Sequence, residues 1–100
     1  MPRSRKLKLI WLPVARQDLI RLREFIELHN PDAARRAAEA LKKAASLLLE
    51  HPAIGVRLED REDRELFIPH GQRGYIMRYR LHVETIVIVR VWHGLDDRPV

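Results

Sequence analysis

The sequence has no cysteine, two serines, four glycines and six aromatic residues. Each scarcity excludes something. Without cysteine there is no disulfide framework, no thiolate metal site and no thiol nucleophile, a composition that suits the reducing cytoplasm. Neither Ser4 nor Ser46 lies in a nucleophile elbow, which removes serine hydrolysis. The few glycines match no phosphate-loop or dinucleotide fingerprint. No apolar run exceeds four residues (Leu9 to Leu12, Ile86 to Val89), far below the roughly 20 of a membrane span. The basic start, Met1 to Lys6, lacks the apolar stretch of a signal peptide. None of the five histidines has another within three to five residues, so neither a metal nor a cofactor is expected. With 100 residues, 46% hydrophobic and 33% charged, the chain reads as one cytoplasmic globular domain over residues 1–100 with no membrane partner.

The charge is uneven. Residues 1–50 carry 11 basic and 6 acidic residues, whereas residues 51–100 carry 8 of each. The whole net charge of +5 thus resides in the first half. Fifteen basic residues are arginine, whose planar fork suits carboxylate or phosphate. A nucleic acid, a nucleic-acid machine and an acidic protein segment all fit this charge, as does a plain solvated basic surface.

Hydrophobic spacing defines the elements. Leu7, Leu9 and Trp11 alternate with Lys6, Lys8 and Ile10 as in a strand, and Pro13 opens a helix. Leu12, Ala15, Leu19, Leu22 and Ile26 fall on one helical face running to about residue 29. Asn30-Pro31-Asp32 stops this helix and caps a second, with Ala34, Ala38, Leu41, Ala45 and Leu48 on its inner face. His51-Pro52 and Gly55 end it, and residues 57–65 read as a solvated charged loop. Strands are expected at 65–68, 75–81 and 85–92. Tyr75, Met77, Tyr79 and Leu81 share one face of the second of these, and Ile86, Ile88, Arg90 and Trp92 one face of the third. The expected architecture is α+β, in the order β-α-α-β-β-β, with a helical hairpin on one face of a small, mainly antiparallel sheet. Trp11, Leu19, Leu22, Ile26, Leu41, Leu48, Tyr79 and Ile88 are the expected core.

One constellation could carry chemistry. Arg73, Arg78, Arg80 and Arg90 could converge with His82 or His93. Metal-independent RNA cleavage needs such a set: a base for the 2′-OH, cations for the phosphorane and an acid for the leaving oxygen. Tyr75 and Tyr79 could stack bases. Equally, the arginines could be solubility devices and the tyrosines core residues.

Ala15-Arg16-Gln17-Asp18-Leu19, Asn30-Pro31-Asp32-Ala33-Ala34 and Pro52-Ala53-Ile54-Gly55 lead in order to Arg64-Glu65-Leu66, Gly74 to Arg80 and Val89 to Gly94. Together these six pieces resemble the RelE/ParE superfamily of bacterial type II toxins. The resemblance implies a toxin neutralised by an adjacent antitoxin in an oligomeric complex. It also implies one of two targets, translating ribosomes with their messenger RNA (RelE-like, an endoribonuclease) or DNA gyrase (ParE-like, an inhibitor). Ribonuclease members carry arginine where this chain has Ile76 and lysines where it has Phe67 to Pro69, and some carry tyrosine where it has Gly94. The ending His93-Gly94 is more similar to ParE, which implies a non-enzymatic gyrase inhibitor. Its antitoxin contacts are expected at Arg16, Arg23, Arg35, Arg36, Lys42 and Lys43. Its target contacts are expected at Arg73, Arg78, Arg80, Arg90 and His93, together with the chain end to Val100. Were the chain a ribonuclease, Arg78, Arg80 and His93 are the candidate catalytic residues.

Overall fold

Residues 7–28, 30–70 and 73–94 are described by the computed structural model, Arg73 by its backbone alone. Strand β1 (Lys8–Trp11) leads into helix α1 (Pro13–Glu27). Pro13 takes the first helical position, where its missing N–H costs nothing. Helix α2 (Pro31–Glu50) starts from a complete cap. The Asn30 side chain accepts from the N–H groups of Asp32 (3.0 Å) and Ala33 (3.1 Å), and Asp32 lies in the positive first turn. Four strands follow: β2 (Val56–Arg57), β3 (Arg64–His70), β4 (Arg73–His82) and β5 (Thr85–His93).

The sheet runs β1-β5-β4-β3-β2, with β1 parallel to β5 and every other pairing antiparallel. Both helices cover one face, and the α+β architecture read from the sequence holds. Leu22, Leu41, Leu48, Tyr79 and Ile88 are buried as expected. Trp11, Leu19 and Ile26 are only partly buried, packed against the core rather than inside it.

Three corrections have physical causes. Val56 and Arg57 form a fifth strand against Glu65 and Arg64, although both are exposed. A two-residue edge strand has no face to bury and so leaves no hydrophobic period. Second, the alternation along β5 breaks. Arg78 pairs with Arg90 and Tyr79 with Ile88, so Val89 is an extra residue, a β-bulge. Beyond it the phase inverts, and Val91 rather than Arg90 continues the fully buried line of Ile86 and Ile88. Third, the charged segment 57–65 is not simply solvated, since Asp63 is fully buried.

The α2–β2 connection is clamped from below. The Tyr79 hydroxyl donates to the Pro52 carbonyl and accepts from the Gly55 N–H, both at 2.8 Å. A Cβ on Gly55 would lie 2.7 Å from the Tyr79 ring, so only glycine allows this approach.

Candidate functional site

Two surfaces were expected to act: the sheet arginines and the basic helix hairpin. The arginines come first. Arg78 is 2% exposed, and its Nε and Nη2 both donate to Glu65 Oε2 on neighbouring β3, at 3.1 and 2.9 Å. Its guanidinium also lies 5.1 Å from the centre of the Trp92 ring, within cation–π range. Arg80 donates from Nε to Asp63 Oδ1 at 2.6 Å, while Arg61 approaches the other oxygen, also at 2.6 Å. Arg90 forks onto Asp18 of α1, from Nε to Oδ2 at 2.8 Å and from Nη2 to Oδ1 at 3.1 Å.

Each arginine thus faces its own carboxylate: one on β3, one just before β3 and one on α1. They are anchored to three places rather than gathered round one reacting atom. The side chain of Arg73 and residues 95–100 lie outside the described residues. His93 is half-buried, its ring edge-on to Tyr75 at 5.6 Å, and His70 meets the same tyrosine at 5.8 Å. Burial raises the Tyr75 phenol above its ordinary range, so it stays protonated at neutral pH. Tyr75 (4%) and Tyr79 (0%) are core residues, not stacking platforms.

Asp18, Asp63 and Glu65 were missed as partners. Asp18 has the broadest role. It accepts from Arg90, from Arg21 at 3.1 Å and from the Val91 N–H at 2.9 Å. Burial alone would raise its pKa, but the hydrogen bonds from Arg90, Val91 and Arg21 outweigh it and hold the carboxyl below its ordinary value. Its sequence signal was a lone acid among the apolar inner positions of an amphipathic helix, one turn from Leu22.

The helix hairpin offers a different surface. A cavity of about 320 Å³ opens between α1 and α2, lined by apolar side chains of both helices and floored by Trp11 and Tyr75. Among the described residues its charged lining side chains are Arg16, Arg23 and Lys42, with no acid. Three of the six residues expected to meet an antitoxin therefore surround one apolar groove. The other three do not line it. Arg35 is exposed and pairs with Asp32 at 2.9 Å, and Arg36 and Lys43 are simply exposed. Small side chains at Ala34, Ala37 and Ala38 leave the groove open along α2.

Comparison with known proteins bears on this arrangement. The family model described as "ParE toxin of type II toxin-antitoxin system, parDE" matches residues 9–98. The chain belongs to the ParE toxin family. It is similar to Toxin RelE3 of Caulobacter vibrioides, 36% identical over 86 residues, covering 86% of this chain and 92% of that protein. Toxin RelE1 of the same organism is 38% identical over 84 residues, covering 84% and 89%. Among solved structures, one described as the chromosomal ParDE TA system from P. aeruginosa shares the fold at a TM-score of 0.75. It is 20% identical and covers 90% of this chain and 98% of that one. The chain is thus a type II toxin of the ParE/RelE kind, with a ParE family model and relatives named RelE.

Proposed function

We propose that this toxin acts in the cytoplasm by binding and inhibiting DNA gyrase, without chemistry of its own. The observation that carries this reading is the pairing of Arg78, Arg80 and Arg90 with Glu65, Asp63 and Asp18. A cation can stabilise a phosphorane only if its charge faces the reacting phosphate. Arg78 and Arg90 fork onto Glu65 and Asp18, and Arg80 gives its Nε to the fully buried Asp63, so part of each charge is already neutralised within the fold. Position 76 is isoleucine and position 94 glycine, so neither adds a cation or a proton donor.

Neutralisation is assigned to a cognate antitoxin in an oligomeric complex. An acidic, amphipathic segment would lay apolar side chains over the groove while its carboxylates meet Arg16, Arg23 and Lys42.

A ribosome-dependent endoribonuclease remains the second reading, favoured by His93 beside a protonated Tyr75 and by the names of the Caulobacter relatives. Mapping transcript ends on translating ribosomes with added toxin separates the two. Gyrase inhibition predicts no new ends. Codon-positioned cuts that disappear in a His93→Ala protein would establish the ribonuclease.

A further inference from the structure

The net charge of the chain gathers at one corner of the fold. Positions 3–8 hold four basic residues, Arg3, Arg5, Lys6 and Lys8, and no acid precedes Asp18. Positions 13–50, which hold both helices, carry seven basic residues against six acidic ones and so add little. Arg3, Arg5 and Lys6 lie outside the described residues, but Lys8 opens β1 at the rim of the sheet. Leu9 and Ile86, paired across β1 and β5, pack into the core beneath the helices, so their chain neighbours point to the opposite, helix-free face. On that face the register aligns Lys8 with Thr85 and Thr85 with His82, a row of three hydrogen-bond donors. Two strand spacings, about 10 Å, separate the outer two. Lys8 and His82 are both exposed, and neither takes part in an ion pair among the described residues. Strands β1, β4 and β5 contain no acid, and Glu84 is the one acid in the turn joining the last two.

We propose that this corner of the sheet binds the backbone of duplex DNA, with residues 3–8 and the Lys8–Thr85–His82 row meeting phosphates. Clustered cations without an intervening acid are what phosphate neutralisation requires. Arg3-Ser4-Arg5-Lys6 has no apolar side chain, so it offers nothing to the apolar face of an amphipathic segment or to the acyl region of a membrane. A single strand is held by rings on which its bases stack, and this corner has none. Of the six aromatic residues, Tyr75, Tyr79 and Trp92 are at most 4% exposed, Trp11 and Phe25 belong to the helix side, and Phe67 stands on β3 with β4 between it and β5. A duplex needs no ring, because its phosphates line the outside. The contact is with DNA itself and does not depend on whether the target is gyrase or the ribosome.

Fluorescence anisotropy of a short labelled duplex, titrated with the full chain at several sodium chloride concentrations, tests the inference. Saturable binding that weakens steeply with salt is expected, alike for A·T-rich and G·C-rich duplexes. Lys8→Gln alone should reduce the slope of log affinity against log salt by about one, the value of one lost phosphate contact. Arg5→Gln with Lys6→Gln and Lys8→Gln should reduce it by about three and lower affinity at low salt at least tenfold. Arg35→Gln with Arg36→Gln and Lys43→Gln removes the same charge from exposed positions on α2, and should change affinity less than about twofold. Circular dichroism and thermal unfolding confirm that each variant is folded. The proposal is overturned if the duplex does not bind at low salt, or if the two triple variants lose affinity equally, since net charge alone would then explain binding. It is also overturned if a single-stranded RNA of the same length binds more tightly than the duplex. Vesicles of phosphatidylcholine with phosphatidylserine, or an acidic peptide, that bind with sensitivity to the first triple variant while the duplex does not bind would likewise overturn it.

Discussion

Asp18 does the work of a missing stretch of strand. β1 stops at Trp11, opposite Ile88, so among the described residues β5 beyond that point pairs with no strand on its β1 side. There the Asp18 carboxylate, 1% exposed, accepts from the Val91 N–H and grips Arg90. Asp18→Ala should cost about 3 kcal/mol in urea denaturation, because it strands a donor and a cation. The figure is at the lower end for a broken pair, since the Arg90 side chain is 30% exposed and can rehydrate. The pH dependence has a definite sign. The folded pKa of Asp18 lies below its unfolded value, so its contribution is present above about pH 4. It is lost as pH falls through the folded value. Asp18→Asn should flatten the acid limb of the stability profile, and an unchanged limb would assign acid sensitivity to other carboxylates. Asp18 was hard to read as structural because its partner stands 72 positions away, across a register set by the Val89 bulge. Pairings that depend on a bulge are invisible to period-2 reasoning, which also put Arg90 on the wrong line of β5.

At the scale of elements, the helical hairpin was legible almost to the residue. Asn30-Pro31-Asp32 combines a side-chain cap, a fixed φ and a favourable charge in consecutive positions, and every one of these signals is local. Leu22 and Leu41, 7% and 3% exposed, should each cost about 2–5 kcal/mol when truncated to alanine. Losses below about half a kilocalorie for both, measured by chemical denaturation, would contradict the packing of the helices on the sheet. The β4–β5 turn carries strain instead. Val83 has φ of 57°, a left-handed conformation unfavourable for a β-branched side chain, and is 77% exposed, with little packing in return. Val83→Gly should therefore stabilise the protein by about 1 kcal/mol, raising its melting temperature. A fall would mean that the valine makes up the strain through contacts.

Across the whole molecule, charge is sorted into two uses. In the second half, Arg78 and Arg80 are spent on carboxylates of the fold, consistent with the even balance of acids and bases there. The hairpin, residues 13–50, carries seven basic residues against six acidic ones, and three of its cations surround the groove. Helical periodicity located the hairpin. Which cations face the groove depends on how α2 packs against α1, which no local pattern specifies. Arg16→Glu with Lys42→Glu should accordingly weaken antitoxin association and its salt dependence more than Arg35→Glu with Arg36→Glu. Stopped-flow binding at low and high salt gives that comparison, and equal effects would make the groove cations bystanders. The most direct test of a binding toxin without chemistry is a titration of gyrase supercoiling with the purified chain and its His93→Ala variant, on relaxed plasmid with ATP. Inhibition by the wild-type chain that rises with toxin-to-gyrase ratio and does not deepen with longer preincubation is the predicted result. Supercoiling untouched at large toxin excess, with codon-positioned transcript cuts that require His93, would contradict it.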